Sequence, residues 1–118
     1  MNRSLFSQEE RVRALARLIM DRQLVTYFQP IVDLQTLRAI GFEVLNRPDA
    51  SPEFANASDL YRFASEVHQV SDLDRVSREL GLRRFAEMTA GDEMLRTMQV
   101  FLNVHPETLA SLACFSQE

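Results

Sequence analysis

Glu43 and Arg47 sit in the run Gly41-Phe42-Glu43-Val44-Leu45-Asn46-Arg47. Side chains alternate along an extended strand, so Glu43, Leu45 and Arg47 share one face while Phe42 and Val44 point the other way, toward packing helices. A carboxylate suits a hard divalent ion such as Mg²⁺ or Mn²⁺. A guanidinium forks onto phosphate oxygens. One strand face could thus receive a cation and a phosphate side by side. A plain Glu–Arg pair on an exposed strand has the same spacing, and spacing alone does not separate the two.

Two more polar residues stand where a strand usually carries apolar ones. Gln29 precedes Pro30 in Tyr27-Phe28-Gln29-Pro30-Ile31-Val32-Asp33. Proline removes a ladder donor, which puts this strand at an edge or gives it a bulge. Gln29 could then offer its amide to a ligand or satisfy nearby backbone. Asn103 interrupts Val100-Phe101-Leu102-Asn103-Val104, and a buried amide needs either partners or a metal. His68 and His105, the only histidines, lie in no zinc or nucleophile motif and read as structural or surface residues. There is no phosphate-cradling glycine loop, no CxxC and no HExxH.

The elements that must hold these residues follow from pattern. Ser7 can cap a helix over 8–22, with Glu9 and Glu10 suiting its positive first turn. Val12, Leu15, Ala16 and Ile19 make its apolar stripe. Arg11, Arg13, Arg17 and Arg22 then fall on a solvated face. Strands are expected at about 24–33 and 39–47, joined by a turn around Leu34 to Leu37. So short a link makes them antiparallel neighbours, because a parallel crossover needs a dozen residues or more. Pro48 and Pro52 mark a loop.

A helix over 58–68 carries Leu60, Phe63, Ala64 and Val67, and another over 71–89 carries Leu73, Val76 and Leu80. Ser71 and Asp74 resemble a capping box for the second. Gly81 weakens that helix, and Ala90-Gly91-Asp92 ends it. Met94 to Thr97 can form a helical turn. A third strand over 99–104 is apolar on both faces, as strands buried in parallel sheets are. Pro106 opens a helix through Thr108, Leu109 and Leu112.

Composition bounds the rest. The chain has 118 residues, 46% hydrophobic and 25% charged, which is enough for one soluble domain or part of one. A formal charge of −4 argues against a nucleic-acid polymer as partner. All 13 basic residues are arginine, so a catalytic lysine would have to come from elsewhere. The lone Cys114 reads as a half-buried thiol with no disulfide partner in the chain. No signal peptide is visible and no apolar run approaches the roughly 18 residues of a membrane span. The expected location is the cytoplasm, either free or as the cytoplasmic part of a larger, membrane-anchored protein.

Three of these segments together resemble the first half of an EAL domain, the bacterial cyclic di-GMP phosphodiesterase module. Tyr27 to Asp33 is similar to the family's Y-x-Q-P-I-V strand. Gly41 to Arg47 is similar to its signature segment, with Val44 for the usual Ala. Phe101-Leu102-Asn103-Val104-His105-Pro106 is similar to its F-x-N-x-x-P strand. The likeness runs from about Arg11 to Leu112. Other departures are Asn46 for an apolar residue, Leu37 where the turn often has Gly, and His105 where Ser is common.

The resemblance implies an α/β fold, a partial TIM-like (β/α) barrel with an antiparallel first strand, about three strands and four to five helices. It implies that Glu43 and Asn103 bind a catalytic Mg²⁺ or Mn²⁺. It implies that Gln29 and Arg47 contact cyclic di-GMP, Arg47 through a phosphate, and that Leu45 lines the guanine site. Such barrels take roughly 250 residues, so the chain is expected to be the N-terminal part of a single domain. The family's paired aspartates and catalytic lysine fall after the Asn103 strand, and the isolated chain is expected to be inactive. A homo-oligomer or a partner domain is expected to cover the open barrel edge. The rival expectation is a non-catalytic cyclic di-GMP receptor or protein-interaction module.

Overall fold

Helix α1 (Gln8–Met20) starts where its cap chemistry puts it. The Ser7 hydroxyl accepts from the Glu10 N–H at 3.1 Å, and the Glu10 carboxylate accepts from the Ser7 N–H at 3.3 Å, a reciprocal capping box. The computed structural model describes residues 5–115 of the chain, with only the backbone at 111–115. Cys114 and Leu112 therefore lie outside the described side chains.

After α1 come strands β1 (Leu24–Val32) and β2 (Ala39–Pro48), then helices α2 (Ala57–Glu66), α3 (Val70–Thr89) and α4 (Glu93–Arg96). Strand β3 (Gln99–Leu102) and helix α5 (Pro106–Phe115) complete the order. β1 and β2 pair antiparallel, and β2 and β3 pair parallel, in a sheet ordered β1-β2-β3. Pro30 lies on β1, an edge of this sheet, and the register slips between Ile31 and Val32 just beyond it. A strand that is an edge among the described residues, with an irregularity beside the proline, is where a missing ladder donor is tolerated.

The turn between β1 and β2 is built by Asp33. Its carboxylate accepts from the backbone N–H groups of Gln35 and Thr36 at 2.7 and 3.3 Å. Leu37 closes the turn at φ 59°, in the left-handed region.

The core lies between the helices and one side of the sheet. Leu15, Leu18, Leu24, Leu60, Phe63, Leu73, Val76 and Leu80 are buried in it together. The buried face of α1 is Ala14, Leu15 and Leu18, with Val12 and Ile19 only partly covered. The stripe is thus rotated from the predicted one. Arg11 also departs from the expected solvated face. Its guanidinium sits 4.5 Å from the Phe63 ring and 5.0 Å from the Phe54 ring, and pairs with Asp59 at 2.9 Å. The long arginine stem covers apolar surface while its head is held by a carboxylate.

Two other expectations are corrected. Ser71 and Asp74 form no capping box, since α3 begins at Val70 after Gln69 with no side-chain cap. Asp74 turns inward, 2% exposed. The third strand is shorter than its pattern and is not buried on both sides, for Phe101 is 41% exposed at the sheet's margin. Its apolar pattern has no cover on that face among the described residues.

Candidate functional site

The sheet has two unlike faces. On one, Phe28 and Phe42 pack against Phe85 of α3 at 6.0 and 6.1 Å, and Val44 meets Gly81. Asn46 belongs to this side. Its amide donates to the Ser77 carbonyl at 3.0 Å and accepts from the Thr26 hydroxyl at 2.6 Å. Arg84 donates to Thr26 Oγ1 and to the Leu24 carbonyl at 2.7 and 2.6 Å. Polar Asn46 thus replaces an apolar contact with a network tying β1, β2 and α3.

The other face carries every residue singled out for chemistry. The β1–β2 register sets Gln29 opposite Glu43, Tyr27 opposite Leu45 and Val25 opposite Arg47. Register partners project to the same side of a sheet. β3 places Phe101 beside Glu43, and Asn103 follows one residue past the end of that strand. The Asn103 amide Nδ2 donates to Glu43 Oε1 at 3.0 Å. Arg47 holds its guanidinium 4.8 Å from the Tyr27 ring centroid. All five residues share one face, with Glu43 and Asn103 in direct contact, Gln29 across from them and Arg47 at the far end beyond Leu45.

Gly41 is a condition of this arrangement. A Cβ there would lie 2.5 Å from the Gln99 carbonyl oxygen and 3.0 Å from Phe101 Cε2. Glycine lets β3 approach β2 closely enough for Asn103 to reach Glu43.

At the tips of β2 and β3 opens a cavity of about 290 Å³, whose wall includes Leu45, Asn103, Tyr61, Asp74 and Arg78. Burial pushes the Tyr61 phenol above its ordinary value, and its hydroxyl meets Ser77 Oγ at 2.6 Å. Arg78 buries one guanidinium nitrogen without a hydrogen-bond partner. Sequence reading missed Asp74 and Arg78 as lining residues. The available signal was a carboxylate at 74 between the core residues Leu73 and Val76, where a charge needs a partner. His105, read from the sequence as structural or surface, is half-buried and also lines this cavity. Its Nδ1 accepts from the Glu107 N–H at 3.2 Å at the start of α5.

Glu43 and Asn103 carry side-chain oxygens of the type that Mg²⁺ and Mn²⁺ accept. A half-turn of the Asn103 amide would present its oxygen beside the carboxylate. The donor type fits, but two side chains are a fraction of the usual shell. Among the described residues no group of three or more His, Cys, Asp or Glu gathers for a metal. Among them, too, no helix is long and apolar enough to cross a membrane.

Comparison with solved structures finds the Xanthomonas citri FimX EAL domain, crystallised in complex with c-diGMP. It matches with a TM-score of 0.67 at 15% sequence identity, over 90% of this chain and 42% of that one. At that identity the likeness is one of fold. The three strands and five helices of the described residues form part of a TIM-barrel-like α/β architecture, and the chain spans less than half the length of that structure. A family model described as the EAL domain matches residues 12–117. With that match over nearly all its length, and with the signature strand, its glutamate and the asparagine of the third strand on one face, the chain belongs to the EAL domain family.

Proposed function

We propose that this chain forms the cyclic di-GMP-binding wall of an EAL domain whose complete form opens the cyclic dinucleotide to linear pGpG. The observation that carries the reading is the 3.0 Å contact of Asn103 with Glu43 on the face that also holds Gln29, Leu45 and Arg47. The FimX domain of the same fold was solved with c-diGMP, which supports the ligand class.

In this reading Glu43 and the Asn103 oxygen hold a divalent ion, Arg47 swings from Tyr27 onto a phosphate, Gln29 donates its amide, and Leu45 packs on a base. The ion, Mg²⁺ or Mn²⁺, when bound would polarise a phosphodiester oxygen and acidify a water. Two ligands do not complete such a centre, so the chain by itself binds weakly and does not hydrolyse. The bare sheet face is covered in the working assembly, by a second copy or by a partner chain. These are cytoplasmic roles.

A second reading is a receptor or protein-interaction module without catalysis. One observation favours it: Glu43 is already satisfied by the Asn103 N–H, an arrangement that is stable with no cation.

Calorimetry with cyclic di-GMP, with and without Mn²⁺, tests the two. Mn²⁺-dependent binding that is lost in Glu43→Ala supports the first reading. Cation-independent binding supports the receptor. No binding at millimolar nucleotide overturns the ligand assignment, and hydrolysis by the purified 118-residue chain overturns its predicted inactivity.

A further inference from the structure

Asn103 lies beyond the ladder that should hold it. The last β2–β3 partners are Val44 and Leu102, and α5 begins only at Pro106. Residues 103–105 therefore cross open ground between a strand end and a helix start. A ligand in such a link would ordinarily sample many rotamers, and loss of its pose by even an ångström weakens a site.

The tie is Asp74. One of its oxygens, Oδ2, accepts from the His105 backbone N–H at 2.7 Å and from the Thr108 hydroxyl at 2.7 Å. Asp74 is 2% exposed and Thr108 4%. The Thr108 N–H in turn donates to the His105 carbonyl at 2.9 Å, closing a ring of bonds around the start of α5. Charge-assisted bonds in so dry a setting are strong and directional. Asp74 is also anchored from its own side, since the neighbours Leu73, Val76 and Ser77 on α3 are buried. The carboxylate thus fixes the backbone two residues after Asn103 to helix α3.

We infer that Asp74 is a positioning residue, which clamps the β3–α5 link to α3 so that the Asn103 amide is held against Glu43. The inference rests on the reading of Asn103 as a functional side chain, but the clamp itself is a property of the free protein.

The test is ¹⁵N NMR of the Asn103 side-chain amide in the 118-residue chain, with no cation and no nucleotide present. In the parent chain the two amide protons are expected to be well separated in shift and slow to exchange. In Asp74→Ala they should converge and exchange at least tenfold faster, while core methyl signals of Leu15 and Leu60 stay in place. Asp74→Asn keeps the volume and one acceptor oxygen but loses the charge, so it should fall between parent and Asp74→Ala, with exchange about threefold faster than in the parent. If Asp74→Ala does not fold, Asp74→Asn decides, because loss of the charge alone should speed exchange about threefold. Unmoved Asn103 amide signals in folded Asp74→Ala, or in Asp74→Asn where that variant decides, overturn the inference. Failure of Mn²⁺ or cyclic di-GMP to bind the parent chain would instead overturn the functional reading and leave this result standing.

Discussion

Gly81 on α3 leaves room for Val44 on β2: a Cβ on Gly81 would lie 2.6 Å from Val44 Cγ1. Val44 is the residue that replaces the usual alanine of the family signature, and Gly81 had read as a weak point in its helix. Each accounts for the other. The larger strand residue fits because the helix residue facing it has no side chain.

Gly81→Ala sets helix propensity, which favours alanine by about 1 kcal/mol, against overpacking, which costs about 1–3 kcal/mol. Val44 is 5% exposed and has nowhere to turn, so net destabilisation of about 1–2 kcal/mol is expected. Val44→Ala in the same chain should recover most of it. Urea unfolding of the two single variants and the double gives the coupling energy. Additive losses would show that the two side chains do not compete for one space.

Leu37 adopts φ 59° and is 76% exposed. A left-handed backbone costs a branched residue about 1 kcal/mol and glycine almost nothing. Leu37→Gly is therefore expected to raise Tm by about 2–5 °C despite the added freedom of the unfolded chain. Thermal unfolding followed by circular dichroism checks this, and a lower Tm would count against strain at the turn.

Asp59 joins three parts of the fold. It accepts from Arg11 at 2.9 Å, from Arg62 at 3.1 Å and from the Ala55 N–H at 3.0 Å. Burial pulls its carboxyl upward, but the Ala55, Arg62 and Arg11 donors outweigh it and hold it below the ordinary aspartate value. A depressed folded value stabilises the protein above the unfolded pKa of about 4 and loses that contribution as pH falls through the folded value. Asp59→Asn should thus be less stable than the parent by on the order of 1 kcal/mol near neutral pH. The gap should close as pH falls below the unfolded aspartate value and through the lower folded one. A gap that is constant with pH would mean that the carboxylate's charge is irrelevant.

Glu43 and Asn103 support no core residue. Asn103 is exposed, and Glu43 is partly so. Substituting either with alanine should change stability by less than about 0.5 kcal/mol and lower Mn²⁺ affinity at least tenfold, read from the spin-resonance signal of free Mn²⁺. Equal affinities in parent and variants would remove these two side chains from any cation site.

Much of the site was legible in the sequence because strand alternation is a strict rule. Once 41–47 was read as a strand, the faces of Glu43, Leu45 and Arg47 followed and the short link made β1 its antiparallel neighbour, whereas Gln29 opposite Glu43 came only with the register. Periodicity was less reliable where a side chain is long. Arg11 has both charge and a three-carbon stem, and only the aromatic pair beneath it decides that the stem is buried. Asp74 was misread because a carboxylate three residues after a serine matches a local cap, whereas its partners, His105 and Thr108, come from a distant part of the chain. Long-range polar pairing leaves no local pattern. The third strand looked doubly buried because its apolar residues are suited to a neighbour that the described residues do not supply.

The two faces of the sheet divide what selection can act upon. Residues that hold the chain together point toward α3, and those that could touch a nucleotide point away from it. A mutation on the bare side can erase or alter chemistry while leaving the folding equilibrium nearly as it was.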